Sequence, residues 1–157
     1  MTGPPESQGA EFTPTLRSAL DFLRSRARFS AEVRVHLAGR GFDAEAVESV
    51  VRHLLDRKLI DDAKTAAAVI KGHSGKRAMG IQRMREELRR LGASEDTIDT
   101  GLAAIVSSQT EWALDALRAK YKSGADRGKA GRFLISRGFD EDAVESALDV
   151  FCGSSDD

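Results

Sequence analysis

Residues 71 to 90 carry the densest positive charge of the chain: Lys71, Lys76, Arg77, Arg83, Arg85, Arg89 and Arg90 stand against only two carboxylates, Glu86 and Glu87. Ammonium and guanidinium groups at this density suit phosphates or acidic protein surfaces, through counterion release and charge-assisted hydrogen bonds. Arg127, Lys129 and Arg132 form a second, smaller basic group. The plainer role of the first stretch is a solvated helix face. Arg85 and Arg89 are one helical turn apart, as are Glu86 and Arg90, and an opposite-charge pair at that spacing is worth roughly 0.3 kcal/mol. The candidate contact residues are therefore Lys76, Arg77, Arg83, Arg85, Arg89, Arg90, Arg127, Lys129 and Arg132.

Other chemistries find no comparable cluster. Gly72-His73-Ser74-Gly75-Lys76-Arg77 suggests a phosphate loop, but two residues rather than four separate its glycines, and Arg77 follows the lysine where a hydroxyl is needed. It reads as a linker into the basic helix. His36, His53 and His73 lie far apart with no cysteine at ligand spacing, so no metal or cofactor is expected. Cys152, the single cysteine, has no positioned base and reads as a packing residue in a reducing compartment. No nucleophile, base and orienting group can be assembled, and the expectation is a non-enzyme. Trp112 and Tyr121 offer faces to nucleobases, but are expected to wedge the third part of the chain against the second.

The elements that must carry these residues are helical. The 157-residue chain is 41% hydrophobic and 31% charged, with 6% aromatics, three prolines and a net charge of −1. Such balance excludes a histone-like wrapper, and the composition argues against an all-β fold. The chain also repeats itself. Residues 40–49 and 137–146 agree at eight of ten positions around Arg-Gly-Phe-Asp, and a weaker copy surrounds Gly92. Apolar positions align about all three glycines: Leu37, Leu88 and Leu134 four before; Val47, Ile98 and Val144 six after; Val51, Leu102 and Leu148 ten after. Val47, Val50, Val51, Leu54 and Leu55 then form a helical stripe. A glycine just past a helix closes its last turn in the left-handed conformation, and the next Asp or Ser caps the following helix. Gly41, Gly92 and Gly138 are such stops, followed by Asp43, Ser94 and Asp140 as caps, while Ser30 is expected to cap the helix before Gly41. Phe42 and Phe139 are expected to plug the helix angle.

A third helix precedes each pair, at about 15–27, 62–71 and 109–122. Its inward residues should be Leu16, Ala19, Leu20 and Leu23 in the first repeat. In the second they should be Ala63, Ala66, Ala67 and Ile70, and in the third Ala113, Leu117 and Tyr121. The expected fold is all-α, three tandem three-helix repeats in an elongated, curved arrangement: 15–60, 61–106 and 107–152, between disordered tails at 1–14 and 153–157. Ala93 replaces the turn phenylalanine in the middle repeat, and Gly101 interrupts its last helix at a cost of about 1 kcal/mol relative to Ala, which marks this repeat as the loosest. A helix-turn-helix reader of the major groove is disfavoured, since Asp43, Glu45, Asp140, Glu141 and Asp142 would meet the duplex with negative charge. No apolar run reaches the roughly 20 residues of a membrane span, so a cytosolic protein is expected.

Taken in order, several stretches resemble the RecX family of bacterial recombination regulators. They are Ala19-Leu20-Asp21-Phe22-Leu23 with Arg28-Phe29-Ser30-Ala31-Glu32-Val33, Leu59-Ile60-Asp61-Asp62, Arg85-Glu86-Glu87-Leu88-Arg89-Arg90-Leu91-Gly92, and Arg132-Phe133-Leu134-Ile135-Ser136-Arg137-Gly138-Phe139. Together they cover about 16–150. The resemblance implies a non-enzymatic, monomeric modulator that binds along the groove of the RecA filament, bridges its protomers and inhibits recombinase activity and filament growth. Its partners would be the RecA filament and the single-stranded DNA within it, with weak direct DNA binding. The alternative is a helical single-stranded nucleic-acid-binding protein acting on DNA itself. Charge split by repeat is +1 for 1–60, +1 for 61–106 and −3 for 107–157, so near-neutrality averages unlike modules.

Overall fold

The computed structural model describes residues 6–122 and 125–153. The tail residues 1–5 and 154–157 lie outside the described residues. Among those described, nine α-helices and two short 3-10 turns account for the regular structure: α1 Glu6–Leu23, α2 Ser30–Gly39, α3 Ala44–Asp56, α4 Asp62–Gly72, α5 Ile81–Leu91, α6 Glu95–Ala103, α7 Gln109–Lys120, α8 Arg127–Ser136 and α9 Glu141–Gly153, with the 3-10 turns at Gly75–Arg77 and Val106–Ser108. None of the helices is long and apolar enough to cross a membrane. The all-α fold and the helix triplets follow the sequence pattern.

The aligned apolar positions are the core. Leu37, Leu88 and Leu134 are fully buried, and Val47, Ile98, Val144, Val51, Leu102 and Leu148 are nearly so. Removing each such side chain from water contributes about 2 kcal/mol, which is what fixes the inward stripe of every helix. The helices gather into two compact units. One comprises residues 1–65 with 91–93, the other 66–90 with 94–157, so the middle repeat is divided between them. The first core holds Ala19, Val33, Leu37, Val47, Val50, Val51, Leu54 and Ile60. The second joins Ala78 to α7, α8 and α9 through Leu114, Leu117, Leu134, Phe139, Val144 and Leu148, and Trp112, Tyr121 and Cys152 pack against it.

Each glycine turn takes the expected conformation, with φ +86° at Gly41, +101° at Gly92 and +87° at Gly138. The caps also form: Asp43 accepts from the Glu45 amide, Ser94 from Thr97 and Asp140 from Ala143. Ser30 behaves differently. It is the first residue of α2, and its amide and hydroxyl both donate to Asp62, at 2.7 and 2.6 Å, while Glu32 accepts from the Phe29 amide. A distant carboxylate has taken the cap, which no local pattern encodes.

Several inward assignments shift as well. α1 begins at Glu6 and runs through Pro14 to Leu23, eight or nine residues earlier than the apolar pattern starts. Proline there withholds one amide, and the Thr15 hydroxyl returns to the Glu11 carbonyl at 2.6 Å. Leu20 stays 43% exposed on this helix. In α4 the inward face is Thr65, Ala66 and Ile70, with Ala63 and Ala67 exposed. Gly101 does not break α6. A Cβ there would come within 3.1 Å of Ile70, so glycine lets α4 and α6 pack closely. Gly153 closes α9 rather than opening a tail.

The third repeat's turn is built into a joint. Gly80 donates to the Arg137 carbonyl at 2.8 Å and Gln82 to that of Gly138 at 3.2 Å, while Gln109 Oε1 accepts from Ile81 at 3.1 Å. These contacts occupy amides that the start of α5 leaves without intrahelical partners. A Cβ on Gly80 would lie 2.2 Å from the Gly138 backbone, and one on Gly138 2.4 Å from Arg83 Cβ. The Gly92 turn approaches the start of α2 similarly, its Cβ direction lying 3.0 Å from Ala31 Cβ.

Candidate functional site

Within the second unit, the 3-10 turn at Gly75–Arg77, the start of α5 and the ends of α7 and α8 surround an open cleft of about 590 Å³. Its walls carry Lys76, Arg83, Lys120 and Arg137, and its floor Ala116 and Ala119, whose small side chains leave the space open. Phe133 presents a half-buried ring there. Lys120 Nζ lies 4.2 Å from the centroid of that ring and the Arg137 guanidinium 5.3 Å. Tyr121 meets Phe133 edge-on at 5.7 Å. The joint described above holds Arg83 here, since its guanidinium donates to the Ser136 carbonyl at 3.1 Å.

None of these four cations has a carboxylate within 4.0 Å among the described residues. Four like charges around one concavity focus a positive potential into it. Two of them, an ammonium on Phe133 and the planar Arg137 beside it, combine charge with a flat apolar face. The cleft can therefore receive an anion that carries its own flat or apolar part, or a row of phosphates or carboxylates.

The sequence-predicted contact residues divide sharply. Lys76 and Arg83 face the cleft. Arg77, Lys129 and Arg132 are exposed elsewhere, and the Lys129 amide serves the Asp126 cap of α8. Arg85 turns to Asp99 at 2.7 Å and Glu95 at 3.5 Å, Arg89 to Glu95 at 2.6 Å, and Arg90 to Glu87 at 2.6 Å. Arg127 bridges Glu145 at 2.9 Å and Asp149 at 2.7 Å. These exposed pairs are worth little to stability, but they spend the charge locally. The hydrogen bond from Arg89 holds the Glu95 carboxyl below its ordinary range, and that from Arg90 does the same to Glu87. Lys120 and Arg137, missed in the sequence, come from the third repeat, whose net charge is negative. Their signal was the pairing of each with a nearby aromatic, Tyr121 and Phe133.

In the first unit the histidines sit in aromatic contacts. His36 stacks on Phe22 at 3.9 Å, the Arg28 guanidinium lies 4.1 Å from the centroid of the same Phe22 ring, and His53 meets Phe12 edge-on. Desolvation, then Arg40 and Arg28, lowers the His36 pKa below its ordinary value.

Residues 16–54 match the family described as RecX, first three-helix domain. The regulatory protein RecX of Xanthomonas axonopodis pv. citri is 32% identical over 142 residues, covering 87% of this chain and 86% of that protein. That of Neisseria meningitidis serogroup C is 32% identical over 134 residues, covering 83% and 86%. Among solved structures, RecX from Lactobacillus salivarius superposes with a TM-score of 0.79 at 18% identity, over 91% of this chain and 97% of that one. A second regulatory protein RecX gives 0.73 at 23% identity, over 94% and 79%. These two likenesses bear on the fold.

Proposed function

The chain belongs to the RecX family, and from that membership we propose that it is a non-enzymatic modulator, most simply an inhibitor, of the RecA recombinase. It binds along the groove of the RecA–DNA filament and restrains recombinase activity and filament growth. The observation that supports this reading is the cleft of Lys76, Arg83, Lys120 and Arg137, four cations with no carboxylate within 4.0 Å among the described residues, in a chain of net charge −1. In the same unit Arg85, Arg89, Arg90 and Arg127 are already paired with neighbouring carboxylates, so the cleft is where an anionic partner surface gains most. Several weak contacts along one chain then act together through effective concentration.

The test is single-stranded-DNA-dependent ATP hydrolysis by RecA with increasing amounts of this protein. The wild type should suppress turnover. Lys120→Glu with Arg137→Glu should raise the half-inhibitory concentration by about tenfold, as for loss of a central charged contact, with an unchanged helical melt. Arg85→Glu with Arg89→Glu should have the smaller effect, because those guanidiniums are already paired. A wild type without influence on RecA would dispose of the reading.

The ring of Phe133 beneath Lys120 favours a second reading, in which the cleft holds a base and its phosphate and the protein binds single strands directly. Titrating labelled oligonucleotide without RecA separates the two. Tight, salt-sensitive binding to bare strand, lost in the Phe133→Ala variant, would favour it.

A further inference from the structure

The Arg-Gly-Phe-Asp turn occurs twice with one backbone shape, and only one copy is occupied. In both, the glycine amide returns three residues back, Gly41 to Ala38 and Gly138 to Ile135, and the phenylalanine amide five back at 3.3 Å. In the third repeat the carbonyls of Ser136, Arg137 and Gly138 receive Arg83, Gly80 and Gln82 from the first turn of α5. The corresponding carbonyls of Gly39, Arg40 and Gly41 accept no such bond from a described residue, and a Cβ at Gly39 or Gly41 would meet nothing within 4 Å. Beside this turn lies a cavity of about 420 Å³ bounded by Arg17, Asp21, Phe22, His36, Arg40 and Phe42.

We propose that the Gly39-Arg40-Gly41-Phe42 turn is a docking point for the first turn of a helix in a protein partner. That helix opens on glycine or another small residue and carries a basic residue three positions later, as Gly80 and Arg83 do. Charge favours the match. The carbonyl end of α2 carries the negative pole of its dipole, and a helix start offers unpaired amides at the positive pole. The glycine at 41 then has a second use besides its positive φ, since its lack of a side chain admits the partner's backbone as closely as Gly138 admits Arg83.

A second copy of this chain is a poor occupant. The first turns of α2 and α5 already meet Gly92 and Gly138. The start of α8 is closed by its own Asp126, which accepts from the Lys129 amide at 2.8 Å. Asp126 also stands where α5 has Gly80, the position at which a Cβ would run into the docked turn. The partner is therefore a different protein, and the inference rests on the reading above in seeking it in the RecA filament.

The experiment measures binding of the full-length protein to RecA filaments assembled on single-stranded DNA, for wild type, Gly41→Asn and Gly39→Lys. Asparagine accepts the left-handed conformation better than other side chains, and Lys at 39 enters open space on a helix and sets positive charge against the incoming helix start. Both variants should melt as the wild type does and bind about tenfold more weakly. If Gly41→Asn melts early, Gly39→Lys decides alone. Wild-type affinity in the folded variants overturns the docking point and leaves the RecA reading standing. No binding by the wild type overturns both. Self-association of the wild type that the variants abolish assigns the turn to a second copy and overturns the partner named here.

Discussion

The turns around Gly41 and Gly138 share eight of ten residues and φ angles one degree apart, yet they do different work. At Gly138 the turn is wedged against α5 and Phe139 is 3% exposed; at Gly41 the turn is open and Phe42 only half-buried. The shared residues encode a local event, the end of one helix and the start of the next. What the turn is used for depends on what lies against it. A glycine that satisfies only φ can exchange for residues that tolerate φ above zero. A glycine that also admits another backbone cannot.

That contrast can be tested by substitution. The largest effect should come from Phe139→Ala, which removes a buried ring and should cost about 3 kcal/mol or more, against roughly half that for Phe42→Ala. Urea titration of the two variants reads the difference, and equal losses would show that the rings are equivalent. Next comes Gly80→Ala. Its Cβ would overlap the Gly138 backbone, and the overpacking should cost about 2 kcal/mol or more. A wild-type melting temperature would mean that the joint is loose. Gly41→Ala should cost only the left-handed strain, about 1 kcal/mol, and clearly less than Gly138→Ala, where strain and overlap combine; calorimetry of the pair decides.

The smallest expected effect is one of pH on the first unit. The His36 pKa lies below its ordinary 6.5 in the folded state, mainly through desolvation, so between the two values the unfolded chain binds more protons. Stability is full above about pH 6.5 and falls as the pH drops below it. The decline should be slight, because the His36 ring is only partly buried. His36→Phe should keep the stack on Phe22 and flatten the melting temperature between pH 7.5 and 5.5. An unchanged slope would assign the dependence to other groups.

Much of the fold was legible in the residues because its determinants are local. Leucines four before each glycine, the glycines themselves and the Asp or Ser caps act within one or two helical turns, and all of them are where the pattern puts them. The failures have a common cause. Ser30 ceded its cap to Asp62 and Gly101 proved to be a packing site against Ile70, each through a residue about 30 positions away on another helix, while Leu20 stayed in water. The division of the middle repeat has the same origin: its residues are shared between two compact units.

The candidate site was half legible for the same reason. The sequence by itself determined an all-helical chain of repeated helix triplets, the position of every glycine stop and the stretch where cations are dense, since periodicity, φ preference and composition are properties of neighbours. Only the tertiary structure decided which cations remain available. Arg85 and Arg89 point to carboxylates of α6, whereas Lys76 and Arg83 meet Lys120 and Arg137 across a floor of small residues with no carboxylate within 4.0 Å among the described residues. A charge is spent or kept according to what faces it at about 4 Å, and that partner is set by helix packing rather than by sequence distance.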